Sequence, residues 1–171
     1  MRGGRAWPMA QAIGRGLTFA LLLAAPLVPA RAVRATDPVH YSAGGTFFQA
    51  NCSVCHGPHG AGQPSLAPPL TAYPASYARV PEGRRQLALT VLYGMFGSIR
   101  VGASHYDFKM PDFSRFDDAT LAEVLNFVVF DLAQAPPGTE ALRPGEIAAE
   151  RKQALDGTAV RKHRASVLAA L

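Results

Sequence analysis

At 171 residues the chain has room for one domain of ordinary size with appendages. Its 17 basic and 12 acidic side chains give a formal charge of +5, but Arg2, Arg5, Arg15 and Arg31 fall in a leader expected to be removed. Without them 13 basic side chains face 12 acidic ones, so the basic balance is a feature of targeting and offers no ground for a nucleic-acid partner.

The leader reads as a general export signal over residues 1–32. A basic start is followed by the apolar run Leu17 to Val28, and Ala30-Arg31-Ala32 offers the small residues a signal peptidase reads. A second cut is available after Ala35. Twelve residues, interrupted by Pro26 and followed by Pro29, are too few to span hydrocarbon comfortably. Cysteine and twin-arginine signals are missing around the run, so a lipid anchor is not indicated. The mature chain is expected in the periplasm.

A helix is expected from Ser42 or Ala43 to Asn51. The adjacent Gly44 and Gly45 are poor helix formers, at about 1 kcal/mol each against alanine, and their use is close approach of another helix. At least one of Phe47 and Phe48 should enter the core.

Cys52-Ser53-Val54-Cys55-His56 is a C-x-x-C-H attachment signal for c-type haem. Near one turn of helix, two cysteines three apart can each reach a vinyl group on one porphyrin edge, and His56 then falls under the ring as fifth iron ligand. A thioredoxin-like pair would sit beside a strand–helix unit, which the local sequence does not show. A zinc site needs two more close ligands, and these are the only cysteines in the chain.

From Gly57 to Leu70, glycine, proline and small residues predict an ordered loop without regular structure. Such a loop can bring a backbone carbonyl to the second nitrogen of His56, fixing the ring. A second helix fits Glu82 to Tyr93, with Leu87, Val91 and Leu92 as its apolar stripe. Gly94 to Phe108 reads as loop.

Met110, followed by Pro111, lies in an extended segment from which its thioether can reach the sixth iron position. Its rivals are His105 above all, then Met95, which reads better as core packing. His59 is too near the attachment motif to reach round the ring, while His40 and His163 lie before the first helix and in the tail. The clearest helix follows, capped by Asp117 or Asp118, with Leu121, Val124, Leu125, Val128, Val129 and Leu132 on one face. It stops before Pro136-Pro137-Gly138.

Residues 136–171 carry six basic and four acidic side chains. A helical stretch is expected over Gly145 to Leu155, and another, capped by Thr158, running to Leu171 with Val160, Val167, Leu168 and Leu171 on one face. This tail reads either as a solvated extension or as an arm that docks a partner or a membrane surface.

Together these residues resemble a class I, single-haem bacterial cytochrome c over about Asp37 to Gln134. Gly44 and Phe48 stand eight and four residues before the first cysteine, as in that family. Pro68-Pro69-Leu70 matches its P-x-L, Met110-Pro111 its distal methionine, and Phe127 its C-terminal aromatic. The region around Leu92-Tyr93-Gly94, Gly97 and Ile99 is similar to the loop of bacterial members before that methionine.

The resemblance implies an all-α cytochrome c fold, three to five helices around one covalently bound haem, with an additional C-terminal helical tail. The expected organisation is a domain over 36–135 and an extension over 136–171. Cys52 and Cys55 would form the thioethers and His56 the proximal ligand, with the Pro68 carbonyl orienting His56 and Met110 as distal ligand. Phe113 stands where relatives often have tryptophan, so no ring nitrogen is available there to a propionate; Arg100 and Tyr106 are candidates for that contact.

A general acid–base constellation, a G-x-S-x-G nucleophile and a P-loop are all lacking, so the expected role is electron transfer without bond chemistry. The expected partners are redox proteins, a periplasmic dehydrogenase or quinol-oxidising complex as donor and a terminal oxidase as acceptor, with membrane contact only through partners or the tail. Two other readings stand beside it: a dedicated cytochrome subunit of a periplasmic dehydrogenase complex, and a haem enzyme or gas sensor with Met110 off the iron.

Overall fold

The computed structural model describes residues 40–171; the export signal expected over 1–32 lies outside them. Helix α1 (Ser42–Asn51) runs into the short α2 (Ser53–His56), and α3 (Tyr73–Tyr77) and α4 (Pro81–Tyr93) follow. A hairpin of β1 (Ile99–Val101) and β2 (Ser104–Tyr106) leads to α5 (Asp118–Asn126), which continues as a π-helical segment, Phe127–Leu132. Two more helices, α6 (Pro144–Arg151) and α7 (Gly157–Ala170), complete the described chain. Among the described residues no helix is long and apolar enough to cross a membrane.

The glycines of α1 do what their poor propensity suggests. A Cβ on Gly44 would collide with the Glu123 carbonyl and lie 2.9 Å from Phe127 Cβ, so α1 and α5 touch backbone to backbone. That approach buries Phe48 completely against Val124 and Val128. Phe47 packs edge-on to Phe113 and Phe116, at 6.2 and 4.7 Å between ring centroids.

Helix α4 begins with Pro81, whose missing N–H costs nothing in a first turn, and ends at Gly94 with φ 69°. Leu87 and Leu92 are buried as the stripe predicts, but so are Gln86, Ala88 and Leu89. Helix α4 is buried round most of its girth because α3, α5, α6 and α7 all pack on it. Asp117, not Asp118, caps α5, its carboxylate accepting from Thr120 N–H at 2.8 Å.

Two elements were not expected. Residues 94–108 contain the hairpin, in which Gly102, with φ 58°, opens a two-residue turn. Tyr73 to Tyr77 forms a short helix in the stretch between Leu70 and α4, for which the sequence carries no reading.

The largest difference is the C-terminal segment, which is a wall of the same compact unit as the rest of the described chain. Leu142, Ile147, Val160 and Val167 are all buried. The Asn126 side chain donates to Leu142 O at 3.0 Å and accepts from Leu142 N–H at 2.7 Å. Arg84 grips Glu146 with two bonds of 2.7 Å and reaches the carbonyls of Ala78, Glu140 and Ala141. Arg85–Glu150 and Arg151–Asp118 pairs close at 3.0 and 2.8 Å.

A solvated arm is therefore corrected to packed structure, because this segment covers apolar faces of α4 and α5 and pairs with Arg84, Arg85 and Asp118. The helix limits shift with it: Asp156 caps α7 in place of Thr158, accepting from Ala159 N–H at 2.8 Å. Leu168 and Leu171 remain exposed, while Gly157, Val160, Arg164 and Val167 form the buried face.

Two outcomes follow for stability. Gly44→Ala should lower the unfolding free energy by about 1–3 kcal/mol through overpacking, read from the denaturant midpoint, with Gly102→Ala in open space losing about 1 kcal/mol. The Arg84 guanidinium holds the Glu146 carboxyl below its ordinary range, with the Arg143 N–H assisting. A carboxyl depressed on folding stabilises above its unfolded pKa and loses that contribution as pH falls. From about pH 5 downward the wild type should therefore lose stability more steeply than Glu146→Gln, measured by thermal melts across the acid range.

Candidate functional site

One cleft walled mainly by apolar side chains encloses about 1120 Å³, open mouth included. Leu70, Leu87, Val91, Ile99, Leu125 and Val128 supply much of its wall. Into the same cleft come Cys52, Cys55, His56, Pro68, Met95 and Met110.

The thiols and the imidazole are positioned by the junction of α1 and α2. Cys55 N–H and His56 N–H both bond to Cys52 O, at 3.1 and 2.9 Å, so the attachment pentad is one tight helical turn. Val54, the middle residue of the motif, points out and is 73% exposed, while Cys52 and Cys55 are free thiols, each partly buried. Burial, with Cys55 beside it, pushes the Cys52 thiol up to about 11. That shift keeps the Cys52 sulfur protonated at neutral pH, and both sulfurs line the apolar cleft.

His56 is buried, and its Nδ1 stands 2.9 Å from Pro68 O. A carbonyl can only accept, so Nδ1 carries the proton and Nε2 keeps a lone pair. Burial lowers the imidazole pKa, with the Pro68 bond opposing, and a neutral ring is the form a metal takes.

The loop that delivers Pro68 is built on backbone contact. Gly57, with φ 75°, turns the chain out of α2, and Gly62 N–H returns to His56 O at 2.7 Å. Gln63 N–H bonds Ala67 O at 2.9 Å and Leu70 N–H bonds Gly60 O at 2.7 Å. A Cβ on Gly62 would stand 2.6 Å from Pro69 N and 2.8 Å from Ala67 O. Side chains tie the loop to the helices: Gln49 Nε2 donates to Pro58 O at 2.6 Å and Gln63 Nε2 to Val54 O at 2.7 Å.

Met110 is held by main-chain bonds as well as by packing against the core. Met110 and Met95 exchange N–H to carbonyl bonds of 3.0 and 3.2 Å, and Gly94 lies so close to Met110 O that any side chain there would strike it. Phe113 N–H bonds Val91 O at 2.9 Å, pinning the segment beyond Pro111. Met95, expected as core packing, lines the cleft as well. Sequence spacing gave no sign of this, because the pairing spans fifteen residues.

The histidines weighed against Met110 lie elsewhere. His105 is exposed on β2 opposite Arg100, and His59 is exposed. His40 meets Asp131 at 2.6 Å and His163 meets Gln86 at 2.6 Å. Of the two propionate candidates, Tyr106 is buried and lines the cleft, whereas the Arg100 side chain is exposed. Tyr73, which spacing did not single out, lines the cleft too.

The cytochrome c family model matches residues 41–129, the stretch that holds the pentad, Pro68 and Met110. Cytochrome c-552 of Thermus thermophilus is 36% identical over 86 residues, half of this chain. A second cytochrome c-552, from a particular strain of the same species, is likewise 36% identical over 86 residues. The matched stretch spans 66% of the first relative's length and 58% of the second's.

Gly62→Ala should disturb the site through its support alone. The φ of 77° and the clash with the Pro69 amide together predict a loss of roughly 1–3 kcal/mol. Thermal melts of the loaded protein and the yield of haem-bearing chain would check it.

Proposed function

The chain belongs to the cytochrome c family, with covalently bound haem c as its cofactor, and we propose from that premise that it is an exported carrier of single electrons. What supports this best is one apolar cleft containing two thiols, a buried imidazole with a bonded Nδ1, and thioether sulfur. Cys52 and Cys55 are the tethers in this reading, each forming a thioether. His56 Nε2 is the proximal iron ligand, oriented by Pro68 O, and Met110 is the distal one. When bound, haem supplies a ferric–ferrous couple, which histidine–methionine ligation holds at a raised potential with no open coordination site.

The chain's own residues keep that couple rigid and dry. Ring rotation of His56 is opposed by the Pro68 bond, and Met110 is fixed by the ladder to Met95. The apolar walls exclude water, so little solvent need reorganise when the charge changes. Val54 and Phe108, 73% and 60% exposed at the mouth of the cleft, form an apolar rim against which a redox partner protein would seat. The natural partners in this reading are a periplasmic dehydrogenase or quinol-oxidising complex as donor and an oxidase as acceptor.

Two thioethers in one cleft make the ligand assignment a direct test. Met110→Ala should abolish the charge-transfer band that methionine sulfur gives ferric haem and lower the reduction potential, while Met95→Ala keeps both. The reverse pattern would hand the role to Met95. A wild type lacking the band and binding small gases would replace electron carriage with sensing or catalysis.

A further inference from the structure

Four polar or charged residues are buried in the described chain: His56, Gln86, Asn126 and Arg164. Three have their partners. His56 bonds Pro68, Asn126 bonds Leu142 through both its donor and its acceptor, and Gln86 bonds Thr90 and His163.

Arg164 is the exception, 8% exposed and absent from every ion pair among the described residues. Its one hydrogen bond is from Nη2 to Arg100 O at 3.1 Å, which leaves most of a five-donor fork unanswered. A buried guanidinium without an anion is costly, because its charge is taken out of water with nothing to offset the loss.

The surroundings of Arg164 say where the anion belongs. Arg100 follows Ile99, which pairs with Tyr106, and both Ile99 and Tyr106 line the cleft. On the other side stand Tyr73, also on the cleft wall, and Tyr77, 5.4 Å from it between ring centroids. The Tyr77 hydroxyl is buried and has no hydrogen-bond partner among the described residues. Arg164 works against the burial that raises both tyrosines, by its charge and, at Tyr77, also by facing the hydroxyl without a well-formed bond. A cation and an orphaned hydroxyl thus converge behind an apolar cleft whose cofactor carries two carboxylates.

We propose that Arg164, carried by α7 to the Tyr73, Tyr77 and Tyr106 cluster, is the seat of one haem propionate. The proposal rests on the haem reading of the cleft. It gives the C-terminal segment, which lies beyond the family match at residues 41–129, a part in the site itself. Other charges nearby are engaged elsewhere: Arg161 donates to Phe96 O at 3.0 Å, and Glu82 faces His163 at 3.4 Å. Among these groups none is an acid free to neutralise Arg164.

The test is a carbon NMR titration of the two propionate carboxyls in the loaded wild type, joined to the pH dependence of the reduction potential. One propionate should titrate below the other by about 1–3 units, as a carboxylate beside arginine does. In Arg164→Gln its pKa should rise by about 1 unit or more, moving the pH-dependent part of the potential upward. Arg164→Lys should move it less, and Lys162→Gln, exposed on the same helix, should leave it in place. Should Arg164→Gln not accumulate, the wild-type titration and Arg164→Lys still decide. Two wild-type propionates titrating together in the ordinary carboxylate range, or an Arg164→Gln curve matching wild type, overturn the seat and leave the haem site standing. Exported wild type without haem overturns both.

Discussion

The 2.9 Å bond from the buried His56 to the Pro68 carbonyl is the constraint on which the site depends. An imidazole between apolar walls would otherwise be free to rotate and to exchange tautomers. One carbonyl removes both freedoms, since it accepts from Nδ1 and leaves Nε2 aimed at whatever fills the cleft. The loop of 57–70 exists to place that oxygen. Its glycines make room for main chain to lie on main chain, and its prolines limit the ways the loop can relax. Rigidity here comes from close backbone contact, not from side-chain packing.

The other constraint is the closeness of α1 and α5. With Gly44 against the Glu123 carbonyl, the end of α1 is fixed relative to α5, and α2 inherits that placement. The two thiols and the imidazole therefore stand in a frame set by a helix crossing rather than by a loop. Met110 belongs to a different frame, the short ladder to Met95 anchored at the end of α4. In the proposed reading, ligands drawn from two separately anchored frames would move little when the iron changes charge. Low reorganisation of this kind is what one-electron transfer needs.

Much of this was legible in the residues. The pentad, the paired glycines and the stripe from Leu121 to Leu132 each carry a local signal, and α1, α4 and α5 lie where that signal puts them. The hairpin at 99–106 was hidden because its strands are three residues long and its turn is Gly-Ala, a weak mark beside Asn-Gly. The helix at Tyr73–Tyr77 is too short for periodicity to register. The place of residues 136–171 was illegible for a different reason. What holds them is Arg84, Arg85, Asn126 and the spare faces of α4, all far away in sequence and none unusual in its own setting.

Helix α4 joins the cleft to the C-terminal segment. Leu89 and Leu92 are fully buried because α4 is covered on the sides that a smaller bundle would leave to solvent. The helices that complete this cover also bring charge. Arg84 and Arg85 answer Glu146 and Glu150 on α6, fixing its register and, at Glu146, adding a contribution that acid removes. Arg164 is carried further in, past the last protein acid. Arg84 and Arg85 each face an acid while the buried Arg164 faces none among the described residues, which is the arrangement the proposed propionate seat requires.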